Sequence, residues 1–269
     1  MSSDPIHQAA RAYAGAADTY VKGRPDYPPE VAAWLRDDVR LAPGATVVDL
    51  GAGTGKFTPW LVATAARVVA VEPVAAMLAK LSAALPEVTG LGGTATSIPV
   101  ADASVEAVVC AQAFHWFATA DALREIHRVL KPGGRLGLIW NMRDASVRWV
   151  ARLDAIVNAH EGDTPRYDTG AWRAAFPFPG FGPFVERHFA QVHTGSPEDV
   201  ILNRARSTSF IAALPDDERA KVDAKLRDLI ANEAALAGRD EVTVPYETAA
   251  FVCVKQDGRA SPATCSCRG

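Results

Sequence analysis

The stretch VVDLGAGTGKFT, residues 47–58, decides the fold. It joins a short apolar run ending in Asp49 to glycines at 51, 53 and 55. A plain strand-to-helix turn asks for one residue with positive φ and has no use for three at alternate positions. Three loop chemistries compete for it. A phosphate-cradling P-loop needs GxxxxGK followed by Ser or Thr, and here Leu50 stands at the first glycine position and Phe57 at the hydroxyl position. A dinucleotide loop needs GxGxxG. Gly51 and Gly53 fit, but Lys56 stands where the third glycine would let helix and strand pack beneath a pyrophosphate. What remains is GxGxG, a loop that brings a nucleoside close to the backbone at the end of a first strand.

The surroundings supply the strand. ATVVDL (45–50), RVVAVE (67–72), VTGLGG (88–93), VEAVVCAQ (105–112) and RLGLIW (135–140) are apolar on both faces, as strands of a parallel sheet covered on two sides must be. Between them FTPWLVATAA, PVAAMLAKLSAAL and ATADALREIHRVL carry helical periodicity, the last closed by LKPGG. PEVAAWLRDDVRLAPG predicts a leading helix. The expected architecture is a doubly wound, mostly parallel α/β sheet of seven strands.

After residue 145 the pattern changes. ASVRWVARLDAIVNAHEG reads as a helix, FPFPGFGPF as an irregular connection, and VERHFAQVHTG as a strand. SPEDVILNRARSTSF and PDDERAKVDAKLRDLIANEAALAG then read as helices, and VPYETAAFVCVKQ as a last strand. The expectation is one domain over residues 1–255, with a core of about 28–145, a helical cover of about 197–240 inserted before the last strand, and a disordered tail from 256 to 269.

Composition limits the partners. With 49% hydrophobic residues, 22% charged and a net charge of -3, the chain has no basic footprint for nucleic acid or an anionic membrane. No apolar run approaches the roughly 20 residues that a bilayer requires, and the N-terminus lacks the order of a secretory signal. A cytoplasmic protein is expected. Cys110 and Cys253 sit in apolar strands as small hydrophobes. Cys265 and Cys267 lack the further ligands a zinc site needs, so no metal is expected.

A carboxylate completes the loop. Glu72 ends the second strand, 21 residues beyond Gly51, where an acid can accept both ribose hydroxyls. With VVDLGAGTGKFT, Glu72, GTATSIPVADASVEAVVCAQAFHWF and LKPGGRLGLIWN together, the chain resembles the class I S-adenosylmethionine-dependent methyltransferases of the small-molecule type 11 group, over about residues 13–255. YVKGRPDYP and STSFIAALP resemble flanking signatures of a subgroup that includes trans-aconitate methyltransferase-like enzymes.

The resemblance implies S-adenosyl-L-methionine as cofactor. Asp49 would orient the loop and the cofactor's amino group, Gly51, Ala52, Gly53 and Gly55 would line its methionine and ribose portions, and Glu72 with Pro73 would hold the ribose. The family often has an Asp after the third strand for adenine. This chain has Gly93, Thr94 and Ala95, so backbone at Thr94 and Ala95 is expected to serve. Tyr20 and Arg24 would form a flap, Arg24 facing the methionine carboxylate. Gln112, after the fourth strand, would border the cofactor. His115, Trp116, Trp140, Arg204 and Arg206 would border a small-molecule acceptor, with His115 positioning it rather than acting as base. O-, N- and C-methylation all stay open. Two other readings share the fold: an NAD-dependent oxidoreductase, which the missing third glycine disfavours, and a non-catalytic nucleoside-binding protein.

Overall fold

A computed structural model describes residues 24–256. Tyr20, Cys265, Cys267 and the tail from 257 lie outside the described residues. Gln256, where the tail was expected to begin, still donates its backbone N–H to Gly180 at 2.7 Å.

Seven strands form one sheet in the order β3-β2-β1-β4-β5-β7-β6. They are β1 (Thr46–Leu50), β2 (Arg67–Val71), β3 (Thr89–Leu91), β4 (Val105–Ala111), β5 (Leu130–Arg143), β6 (Val185–Gly195) and β7 (Val242–Val254). β1 to β5 are mutually parallel, and β7 runs antiparallel between β5 and β6. The order reverses at β1, which has β2 on one side and β4 on the other. That is the switch point at which open α/β sheets bind ligands, beyond the carboxyl ends of the strands.

Side-chain alternation along the strands divides the core in two. Val48, Leu50, Val108 and Cys110 face a layer containing α4 (Ala120–Val129) and Trp172. Val47, Ala107 and Val109 face the opposite layer, with α1 (Glu30–Ala33, continuing as a wider turn over Trp34–Asp38), α2 (Thr58–Val62) and α3 (Ala75–Ala84). Both faces are covered, which explains the unbroken apolar runs in the sequence. Cys110 and Cys253 are buried free thiols, and burial raises the pKa of both.

Several helices are shorter than their periodicity predicts. α2 stops at Val62, because Thr64 caps back onto Leu61 O at 2.7 Å and Ala65 turns to φ +59°. β5 begins within LKPGG, with a register shift against β4. The cover is a third cluster that packs α5 (Arg148–Asn158) against the start of β7. Its first predicted helix is divided into a wide turn over Glu198–Asn203, then α6 (Arg204–Arg206) and α7 (Ser209–Ala212), followed by the intact α8 (Asp216–Asn232).

Candidate active site

The glycine loop and Glu72 meet at the switch point. Glu72 Oε2 accepts from the Gly53 amide at 2.9 Å, and its Oε1 accepts from the Val74 amide at 2.9 Å. Burial raises the Glu72 pKa against the lowering effect of these amides. Asp49, buried near the end of β1, accepts from Thr58 Oγ1 at 2.7 Å. Burial pushes its pKa up to about 7.

The three glycines do different work. Gly51 has φ +72°, and a Cβ there would stand 2.8 Å from Ala113 Cβ, so only glycine lets the loop after β4 close over it. Gly53 lines the cleft. Gly55 does not: a Cβ there would meet Leu81 Cγ at 3.0 Å, and its bare backbone serves the packing of α3. The cleft-lining role expected for Gly55 is corrected accordingly.

The resulting cleft, about 1350 Å³ including its open mouth, is lined by Asp49, Gly51, Ala52, Gly53, Glu72, Pro73, Thr94, Ala95 and Gln112. Val74, Met77 and Phe117 add apolar wall, and Arg24 and Lys56 add cationic groups. Thr94 is held in a small bridge with Ser97. Gln112 takes φ +57° at the end of β4, and its Nε2 donates to Asn141 O at 3.1 Å.

A second chamber, about 1170 Å³ including its open mouth, adjoins the first, and Arg24, Gln112, Trp116, Asn141 and Arg204 border both. His115, Trp140 and Tyr167 line the second chamber. Four arginines face it, at 24, 143, 166 and 204, against two carboxylates, Asp154 and Asp168. Arg143 is tied to Asp154 at 2.6 Å, and Arg166 is held by two carboxylates, Asp168 at 2.6 Å and Glu161 at 2.5 Å. Arg24 Nη2 donates to Ser207 O at 3.3 Å, which connects the strap before α1 to the cover. His115 is held neutral, its pKa lowered to about 3 by burial and by the charges of Arg24 and Arg166.

Arg206 lies elsewhere. Its guanidinium is bound to Asp223 and Glu198 on the outside of the cover, and it lines neither chamber. Residues two apart on a helical turn do not share a face, so Arg204 and Arg206 diverge. Arg206 is thereby removed from the acceptor-binding set.

Residues 48–138 match a family described as a methyltransferase domain. An uncharacterized methyltransferase of Mycobacterium tuberculosis is 41% identical over 243 residues, covering 90% of this chain and 94% of that protein. A methyltransferase-like protein of Schizosaccharomyces pombe is 36% identical over 243 residues, 89% of this chain and 94% of its own. The chain belongs to this methyltransferase family. Among solved structures, Haemonchus contortus phosphoethanolamine N-methyltransferase 2, bound to S-adenosylhomocysteine, shares the fold. Its TM-score is 0.52 at 15% identity, over 93% of this chain and 58% of that one.

As a member of this methyltransferase family the chain uses S-adenosylmethionine, and the oxidoreductase and non-catalytic readings are set aside. The cleft suits that cofactor: one buried carboxylate at the tip of β2 for a diol, glycine backbone beside it, apolar walls for a purine, and cationic groups for a carboxylate. No helix among the described residues is long and apolar enough to cross a membrane.

Sequence reasoning missed Asn141, Lys56, Arg143 and Arg166 as site-lining residues. Asn141 and Arg143 sit at the carboxyl end of β5, a position that the switch-point rule singles out. Arg166 lies in an irregular segment that no periodicity marks.

Proposed function

We propose that this methyltransferase transfers a methyl group to a small anionic acceptor, a carboxylate, held in the second chamber. The observation that carries this reading is the excess of arginines around that chamber, four against the three carboxylates that line it or pair with them, with Arg204 at the passage to the cofactor cleft. Guanidinium groups recognise carboxylates through paired, charge-assisted hydrogen bonds. The trans-aconitate methyltransferase-like subgroup falls within this class of acceptor.

In this reading Glu72 accepts the ribose hydroxyls, with Gly51, Ala52, Gly53 and Pro73 along the sugar and methionine. Asp49 orders the loop through Thr58. Thr94 and Ala95 offer backbone groups to adenine, and Arg24 faces the methionine carboxylate. Trp116, Gln112, Asn141 and Arg204 surround the passage between the chambers, where the acceptor oxygen has to meet the methyl carbon. Bound S-adenosylmethionine supplies an electrophilic methyl group on a sulfonium centre. The chain's own task is alignment: Arg204 holds the carboxylate, the aromatic wall excludes water, and His115 orients the acceptor. A carboxylate is ionised at neutral pH and needs no base.

Thermal-shift titration in the presence of S-adenosylhomocysteine tests this. Small mono- and dicarboxylates are expected to stabilise the protein, and amines and phenols of similar size are not. Stabilisation by amines alone would refute the anionic acceptor.

A further inference from the structure

We infer that Trp140 is a positioning residue that locks His115 as a hydrogen-bond donor toward the acceptor. An indole nitrogen carries a hydrogen and cannot accept, so the 3.0 Å contact between Trp140 Nε1 and His115 Nδ1 has one polarity. Nδ1 holds the lone pair. The hydrogen of the neutral ring therefore sits on Nε2. His115 has no other hydrogen bond among the described residues, so Nε2–H remains for a ligand in the chamber that the ring lines.

The lock is built into the sheet. β4 and β5 run side by side with Ala111 opposite Ile139, which sets Trp140 beside the turn Phe114–Trp116 that carries His115. Trp140 is fully buried, with ring centroids of Trp172 at 4.8 Å, Tyr167 at 4.9 Å and Phe251 at 5.9 Å. It has no room to swing away and release Nδ1.

Proton uptake by His115 is opposed from every side. It would cost the indole hydrogen bond, and the new charge would face Arg24 before α1 and Arg166 on the segment after α5, in a chamber that Arg204 also lines. The carboxylates of the same chamber, Asp154 and Asp168, are already engaged by Arg143 and Arg166. His115 is thus a donor and not a base. An atom of the methyl acceptor facing it offers a lone pair, and the ring, with its hydrogen on Nε2, takes no proton from it. Only this last consequence rests on reading the second chamber as the acceptor site; the tautomer lock does not.

Long-range proton–nitrogen spectra of the full chain, labelled with ¹⁵N-histidine and ¹⁵N-tryptophan and saturated with S-adenosylhomocysteine, test the lock without any acceptor. The wild type is expected to show the Nε2–H tautomer with no titration between about pH 5 and 8, the range where an ordinary histidine titrates. Trp140→Phe is expected to give mixed tautomers and a ring that titrates higher. An Nδ1–H tautomer or an imidazolium near pH 6 in the wild type would overturn the proposal, as would an unchanged tautomer in Trp140→Phe. Should Trp140→Phe fail to fold, the wild type decides by the scalar coupling between Trp140 Nε1 and His115 Nδ1. Its presence supports the lock and its absence overturns it. Carboxylate binding is read separately, so failure of the acceptor reading and failure of the lock give different results.

Discussion

Glu72 accepts a hydrogen bond from the Gly53 amide at 2.9 Å, which ties the acid at the tip of β2 to the middle glycine of the loop after β1. A carboxylate so placed is at once a ligand for the ribose and a brace for the loop. Glu72→Ala is expected to weaken S-adenosylhomocysteine binding by about 1–3 kcal/mol, the scale of losing a charged hydrogen-bond acceptor. Calorimetry on the folded variant checks it, and unchanged affinity would move the ribose site elsewhere.

Gly51→Ala places a methyl group 2.8 Å from Ala113 Cβ at φ +72°. Strain and overpacking together are expected to destabilise the protein by about 1–3 kcal/mol. The loop must shift to accommodate the methyl, so cofactor affinity falls with stability. Denaturant unfolding and calorimetry on the same preparation read the two effects.

Asp49 and His115 give the protein opposite pH limbs. The pKa of Asp49 rises to about 7 on folding, so the folded chain holds a proton that the unfolded chain has lost, and this contribution to stability declines as pH rises from about 4 to 7. Asp49→Asn keeps an oxygen for Thr58 and removes the buried charge. It is expected to raise Tm at pH 8 and to lose that advantage near pH 4. His115 is lowered to about 3, so its contribution is complete above the ordinary histidine range and declines as pH falls from about 6.5 toward 3. His115→Gln is expected to flatten that acid limb. Thermal melts across pH read both.

Arg204 and Arg206 separate recognition from support. Arg204 borders both chambers, whereas Arg206 binds Asp223 and Glu198 outside them. Arg204→Ala is expected to raise the carboxylate KM about tenfold or more, the cost of a charged hydrogen bond. Arg206→Ala is expected to lower stability by about 1–2 kcal/mol with little change in KM. Equal KM effects would contradict the assignment.

The sheet was legible because burial on both faces leaves strands as continuous apolar runs, and the loop because alternate glycines from 51 to 55 with Glu72 at the next strand tip have few other uses. Less was legible where tertiary contact decides. Nothing in GxGxG tells that Gly55 faces Leu81 of α3 while Gly53 faces the cleft. The pair Arg204 and Arg206 looked equivalent, because both sit in one predicted helix. The chain instead runs through a wide turn over Glu198–Asn203 before α6, and only Arg204 turns inward. The Trp140–His115 bond joins residues 25 apart that only the pairing of β4 with β5 brings together.

The central claim is methyl transfer to a carboxylate between the two chambers. The measurement that tests it most directly is mass spectrometry of products formed from methyl-deuterated S-adenosylmethionine and a defined pool of small carboxylic acids, amines and phenols. The expected result is a labelled methyl ester, formed by the wild type and strongly reduced by Arg204→Ala. Label found on an amine, a phenol or carbon, or an ester formed equally well by Arg204→Ala, would contradict the account.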